Sequence, residues 1–272
     1  MPENGAPKIS IVTPSFNQGD FLETTMLSVL EQDYPNLEYI VVDGGSQDNS
    51  VDIIRKYENR LAWWISEKDD GQVDAINKGM QRATGDILAY LNSDDLYLPG
   101  TLQRVAEHFR ANPDCGLVYG DYHLVDGGGK LLQRRRELPF DYTMGCCIGL
   151  GIIIPQPAAF WTRDTFSRVG LFDPSLHFAM DADYWLRTAR ITKIEHIPHF
   201  LAEFRMHAES KTGIHLDSTT SAYREEFQAI LRRSWETLPL SRLLPWQVSK
   251  PFRKVWRLKR VAGKLVRGFY KT

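Results

Sequence analysis

Three times in its first hundred residues the chain runs through a short, β-branched apolar stretch, breaks on polar residues, and resumes as an amphipathic helix. Residues 8–13 (Lys-Ile-Ser-Ile-Val-Thr) give way to Pro14-Ser15-Phe16-Asn17 and a helical pattern over 21–30. Residues 37–42 end on Asp43-Gly44-Gly45-Ser46, after which Asp48-Asn49-Ser50 offers a cap for a helix reaching about residue 57. Residues 61–66 lead through Asp69-Asp70-Gly71 into a helical face made by Val73, Ala75, Ile76 and Met80. A fourth apolar run, Leu88-Ala89-Tyr90-Leu91, stops on Asn92-Ser93-Asp94-Asp95. Strand-loop-helix units in series predict an α/β fold with a doubly wound, mostly parallel sheet and right-handed crossovers. In such sheets ligands bind outside the carboxyl ends of the strands, which is where these polar residues fall.

Beyond Asp95 the regular alternation fades. Pro99 suits a first helical turn ahead of a helix over 101–111, residues 116–119 read as a strand, and Gly127-Gly128-Gly129 reads as a hairpin loop. A strand over 152–161 interrupted by Pro155 and Pro157, a helix over 182–189, strands over 193–197 and 200–206, and a helix over 219–235 complete the expected elements. There is no internal repeat.

A length of 272 residues is enough for one large α/β domain with a real core. The formal net charge of -1 conceals an asymmetry, because the stretch from Ser241 onward holds ten Lys or Arg and no Asp or Glu. The boundary between body and tail is therefore set at 240/241. Cys115, Cys146 and Cys147 have neither a zinc spacing nor a disulfide framework, which fits a reducing compartment. Residues 1–7 lack the charged and apolar regions of a signal peptide, so no export is expected. Residues 142–162 carry no charge, but Pro155, Pro157 and several glycines argue against a membrane span.

Carboxylates recur at Asp43, Asp70, Asp94, Asp95 and Asp181, four after expected parallel strands and the last before a helix. Taken alone, Asp94-Asp95 reads as a turn or helix cap; as a pair, it also reads as ligands of a divalent cation, since adjacent carboxylates repel without one. Their common placement brings in a family. Val12-Thr13-Pro14-Ser15-Phe16-Asn17, Val41-Val42-Asp43-Gly44-Gly45-Ser46-Gln47-Asp48, Asp70-Gly71-Gln72 with Asp74-Ala75-Ile76-Asn77-Lys78-Gly79, and Leu91-Asn92-Ser93-Asp94-Asp95 form the first half of the resemblance. Gln156-Pro157-Ala158, Met180-Asp181-Ala182-Asp183-Tyr184-Trp185-Leu186-Arg187, and Phe204-Arg205-Met206-His207 with Ser210-Lys211-Thr212 form the second. In this order, over about residues 8–215, the chain resembles a family 2 inverting glycosyltransferase of the GT-A fold, of the type that builds bacterial surface polysaccharides.

The resemblance implies a catalytic domain over 1–240, with a nucleotide-sugar half at about 8–110 and an acceptor half of mixed strands at 111–240. It implies that Thr13, Pro14, Ser15 and Asp43 hold the nucleotide, that Asp70, Asp74 and Asn77 extend the donor side, and that Asp94 contacts the donor as well. Asp94 and Asp95 match the DxD-type motif that binds Mn2+ or Mg2+, with His207 as a further ligand, as a contact to the diphosphate, or as a structural histidine. Asp181 is the implied base for the acceptor hydroxyl, its alternative being a helix cap. Arg205 and Lys211 are implied to face phosphate oxygens. Three positions depart from the family: Met180 replaces a glutamate, leaving Asp183 as a possible substitute base; Ile76 stands where some relatives carry arginine; Asn92 stands where many have an acid.

The function so implied is transfer of a sugar from a nucleotide-sugar donor, a UDP-sugar above others, to a hydroxyl of a polysaccharide or lipid-linked glycan precursor. Two rivals are a sugar-1-phosphate nucleotidyltransferase, against which the first loop lacks a glycine-rich phosphate grip, and a non-catalytic nucleotide-sugar or glycan-binding protein. Residues 251–270 place Phe252, Val255, Trp256, Leu265 and Phe269 at helical spacing opposite Arg253, Lys254, Arg257 and Lys264. A basic amphipathic helix of this kind suits an anionic membrane interface, its alternatives being a helix docked on the acidic body and a nucleic-acid contact. The expectation is a cytoplasmic protein, peripheral at the inner face of the cell membrane, with no nucleic-acid partner. Trp63 and Trp64 are expected to pack, not to carry sugar.

Overall fold

The computed structural model describes residues 5–142, 154–208, 210, 221–239, 258 and 262. Four parallel strands form its first half: β1 (Ile9–Ser15), β2 (Leu37–Asp43), β3 (Trp63–Ser66) and β4 (Ile87–Tyr90). Between them run α1 (Gly19–Leu30), α2 (Ser50–Tyr57) and α3 (Gln72–Arg82). β1 pairs in parallel with β2 and β4, and β2 with β3. Every residue of β1 and β4 is buried, as apolar runs covered on both faces require. The helices supply the cover through one face each; on α3 that face is Val73, Ala75, Ile76 and Met80. Gly79 lets α3 lie close on β1, since a Cβ there would sit 2.3 Å from Val12 Cγ1.

The second half is mixed. After β5 (Leu96–Tyr97) and α4 (Thr101–Ala111) come β6 (Cys115–Asp126), β7 (Leu131–Arg135), β8 (Ala159–Thr162), α5 (Arg163–Val169), α6 (Met180–Thr188), β9 (Lys193–Met206) and α7 (Ser221–Trp235). The sheet order is β3-β2-β1-β4-β8-β6-β9-β5, with β7 on the side of β6. β8 is antiparallel to both β4 and β6, and β6 runs parallel to β9. The glycine loop at 127–129 does join a hairpin, β6–β7.

Three expected elements differ. The strand expected over 116–119 runs on unbroken to Asp126. Among the described residues, the strand expected over 152–161 begins at Ala159, because Pro155 and Pro157 hold Gln156–Ala158 in a 3-10 turn. The two strands expected over 193–206 are one strand that bulges: Gly120 pairs with Ile197 and Asp121 with Phe200, which leaves Pro198 and His199 out of the ladder. A proline has no N–H to contribute there. Trp63 and Trp64 pack against the core, with the Arg82 guanidinium 4.9 Å from the Trp63 ring centre. Under α6, Phe172 stacks on Tyr184 with ring centres 4.1 Å apart, and Trp161, Trp185 and Tyr90 close the cluster.

Cys146, Cys147, Lys211 and all of the basic tail except residues 258 and 262 lie outside the described residues. Among the described residues no helix is long and apolar enough to cross a membrane.

Candidate active site

The run that ends β4 carries straight into the site. Leu91 is buried, and the next residues turn back so that the Asp95 N–H donates to the Asn92 carbonyl at 3.1 Å. Thr25 of α1 fixes the turn by donating its hydroxyl to the Ser93 carbonyl at 2.8 Å. Asp95 is thereby driven inward until it is 1% exposed. Its Oδ1 accepts the Arg205 backbone N–H at 2.9 Å, while Oδ2 is buried with no hydrogen-bond partner. Burial, and then the neighbouring charge of Asp94, push the Asp95 carboxyl well above the usual carboxylate range.

Asp94 stays partly exposed and its Oδ2 lies 3.0 Å from His207 Nε2. His207 follows β9, and Phe21 of α1 packs its ring 4.4 Å from the imidazole. An unpartnered buried carboxylate oxygen, a second carboxylate and an imidazole are donor types that Mn2+ accepts, but their ligand atoms do not all lie within 4.8 Å of one another; among the described residues that spacing is met by His108, Cys115 and Glu195. Arg205 does not face phosphate oxygens as expected. Its Nε donates to the Asp94 carbonyl and its Nη1 to the Gly127 carbonyl, both at 2.9 Å, and its guanidinium lies 5.3 Å from the Phe21 ring centre. Arg205 braces the turn from behind.

On the donor side the structure brings the loops after β1, β2 and β3 together. Gly44 N–H donates to the Ser15 carbonyl, Ser46 Oγ accepts from Asn17 N–H, and Asn17 Oδ1 accepts from Gln47 N–H, each at 2.8 Å. Asp43 is the hub. Its carboxylate accepts from Gly45 N–H, Ser46 N–H, Ser46 Oγ and Ser66 Oγ, at 3.1, 2.9, 2.5 and 2.7 Å. Asp43, expected to contact the nucleotide, has no exposed surface in this structure, and these four donors occupy it. Thr13 is likewise buried and accepts from the Tyr39 hydroxyl at 3.0 Å, and Pro14 lies inside β1. Ser15 Oγ has no partner, and Phe16 is 58% exposed beside it.

Asp70 is exposed on the loop after β3, and Asp74 pairs with Lys78 at 3.1 Å while accepting the Asp70 N–H at 3.3 Å. Asn77 goes elsewhere. Its Oδ1 accepts Phe172 N–H at 3.0 Å and its Nδ2 donates to the Phe172 carbonyl at 2.9 Å, so both ends of the amide are spent on a loop 95 residues away. Asn77 supports α6 through the Phe172–Tyr184 stack.

Asp181 sits in the first turn of α6, half-buried, with Oδ1 accepting the Ala182 N–H at 2.7 Å. The buried phenol of Tyr90 links it to the β4 end: burial first, then the charges of Asp181 and Asp95, push that hydroxyl well above its ordinary value. Both carboxylates lie within electrostatic reach of one ring. Asp183, the possible substitute base, is engaged within the protein. It is 3% exposed and clamped by Arg187 Nε at 2.7 Å and by the Arg233 guanidinium of α7.

A model of glycosyl transferase family 2 matches residues 10–169. The chain belongs to that family. It is a glycosyltransferase. An uncharacterized glycosyltransferase of Mycobacterium tuberculosis is 32% identical over 203 residues, which span 73% of this chain and 75% of the relative. The putative teichuronic acid biosynthesis glycosyltransferase TuaG of Bacillus subtilis is 34% identical over 143 residues, or 52% of this chain and 56% of TuaG. Among solved structures, residues 1–349 of S. aureus TarS with UDP-GlcNAc align with a TM-score of 0.62 at 16% identity, covering 90% of this chain and 78% of that one. The mannosyltransferase PcManGT of Pyrobaculum calidifontis, with GDP-Man and Mn2+, gives 0.61 at 18% identity, covering 97% and 76%. These likenesses place the glycosyltransferase in the GT-A fold.

One part of the site escaped the sequence. Asn92 Oδ1 accepts from Gln72 Nε2 at 2.7 Å, Asn92 Nδ2 donates to Gln156 Oε1 at 3.0 Å, and Gln156 Nε2 donates to the Tyr90 carbonyl at 2.7 Å. This row of amides ties α3, the β4 end and the turn before β8 together beside Asp94 and Asp95 of the glycosyltransferase. Gln72 and Gln156 stand inside the family motifs, but nothing in their spacing shows that they meet at Asn92.

Proposed function

We propose that this glycosyltransferase moves a sugar from a nucleotide-sugar donor, a UDP-sugar above others, to a hydroxyl of a lipid-linked or polysaccharide precursor, with a divalent cation and inversion at the anomeric carbon. The observation that carries the reading is the buried, unpartnered Oδ2 of Asp95 beside Asp94 and His207 at the carboxyl end of β4. Asp94, Asp95 and His207 would hold the cation, which when bound neutralises charge on the leaving nucleoside diphosphate. Asp43 builds the loop that offers Ser15, Phe16 and Ser46 to the nucleotide, and Asp70 and Asp74 flank it. Asp181 takes the proton of the attacking hydroxyl from the opposite side, as a single in-line displacement requires. A surface-polysaccharide product is in keeping with the name of TuaG, and Mn2+ with the ion that accompanies GDP-Man in PcManGT.

The test is release of nucleoside diphosphate from a panel of UDP- and GDP-sugars, with and without Mn2+. Metal-dependent release that Asp181→Asn abolishes, while nucleotide binding survives, supports the reading; full activity of Asp181→Asn removes it as the base. The charge pattern of residues 241–272 supports a further step, attachment to the anionic cytoplasmic face of the membrane. Deleting residues 250–272 then releases the protein from anionic vesicles, and unchanged sedimentation would discard the attachment.

A further inference from the structure

The stretch just ahead of Asp181 is held by a carboxylate from a distant helix. Glu226 of α7 accepts three successive backbone N–H groups, from His177 at 2.6 Å through Oε1 and from Phe178 and Ala179 at 2.7 and 2.9 Å through Oε2. Successive N–H groups before a helix have no partners within it, and this carboxylate satisfies them from outside. No side chain of the N-cap residue Ala179 is able to do so, and Met180, the first residue of α6, is a buried thioether with no acceptor strong enough for the task.

The grip has a second point and a floor. Arg233, seven residues further along α7, reaches Asp183 on α6, and Phe227, Ile230, Leu231 and Trp235 bury the face between. From below, Asn77 holds Phe172 against Tyr184. The first turn of α6 is thus bounded on both sides, and Asp181 is the residue in it that stays half-exposed.

We propose that Glu226 is a positioning residue for Asp181: by fixing the backbone at 177–179 it sets the direction in which the Asp181 carboxylate leaves the helix. The proposal rests on Asp181 being the base. Glu226 touches no substrate, so its effect falls on the rate of the proton-coupled step and not on donor affinity. Misplacement of a reacting group by an ångström costs on the order of 100-fold.

The experiment compares Glu226→Ala, Glu226→Gln, Arg232→Ala and Asp181→Asn in the full chain, using the donor from the panel that wild type turns over fastest. Arg232 lies on the outer face of α7, paired with Glu236 at 3.1 Å, and controls for disturbance of the helix. Glu226→Ala should lower kcat roughly 10- to 100-fold with the donor KM within about twofold of wild type. Glu226→Gln, which keeps one acceptor oxygen, should recover part of that loss, and Arg232→Ala should match wild type. Unchanged kcat in Glu226→Ala overturns the proposal. So does a parallel loss of kcat, donor binding and melting temperature in both Glu226 variants, the result of a purely structural contact. Full activity of Asp181→Asn overturns the base assignment and the proposal with it, whereas an inactive Asp181→Asn beside a fully active Glu226→Ala overturns the proposal alone.

Discussion

His207 Nε2 lies 3.0 Å from Asp94 Oδ2, across 113 residues of chain, and the adjoining carboxyl of Asp95 keeps one oxygen buried without a partner. The pair of acids is destabilising in the absence of a cation, because burial and mutual repulsion both oppose ionisation of Asp95. Asp95→Asn should therefore raise the melting temperature of the metal-free protein, since the amide still accepts from Arg205 N–H, and should show none of the upward shift with Mn2+ that the proposed metal site predicts for the wild type. Thermal unfolding with and without Mn2+ reads both; a mutant that still responds to Mn2+ removes Asp95 from the metal site.

Asn77 occupies a motif position yet binds the backbone of Phe172 at both ends of its amide. Asn77→Ala leaves that N–H and carbonyl unpaired in a buried setting, at about 1–3 kcal/mol for each group. Denaturant unfolding should show a loss on the order of 3 kcal/mol with the affinity for nucleotide unchanged. A variant of native stability and weakened nucleotide binding would restore Asn77 to the donor site.

Glu38 answers to acid. Burial alone would raise its carboxyl, but hydrogen bonds from Lys8, Ser10 and Thr84 outweigh that and hold it at about 2. Because the folded value lies below the unfolded one, the contribution is present in full above the unfolded value of about 4.5 and is lost as pH falls towards about 2. Glu38→Gln should cost on the order of 3 kcal/mol at neutral pH and flatten the decline in stability between about pH 5 and 2. Urea titrations at several pH values measure it.

Gly79→Ala sets two effects against each other. Alanine favours the helix by about 1 kcal/mol, but its Cβ would lie 2.3 Å from Val12 Cγ1, and Val12 is fully buried in β1. Overpacking at such a contact costs about 1–3 kcal/mol, so the steric term should win and the melting temperature should fall. An unchanged melting temperature would show that α3 is free to move off β1.

The parallel half of the fold was legible because its information is local. Each run such as Ile9–Ser15 or Leu37–Asp43 is apolar on both faces and ends on turn residues, and a sheet of that kind places its ligand groups by connectivity alone. Asp94 and Asp95 follow β4 directly for the same reason. The mixed half was less legible, since the antiparallel placement of β8 between β4 and β6 follows from pairing partners far apart in the chain, and the bulge at Pro198 from the register of β6.

By itself the sequence determined the family and the location of Asp43, Asp94 and Asp95 at the ends of parallel strands. The tertiary structure decided what each polar group is free to do. Asp43, Asn77, Asp183 and Arg205 share motifs with Asp94, Asp95 and Asp181, but long-range hydrogen bonds with Ser66, Phe172, Arg233 and Gly127 engage them in holding the loops, whereas one oxygen of Asp95 is left without a partner. Residue type and spacing state what a group is able to bind; only the partners that folding brings within about 3 Å determine whether that capacity is already used.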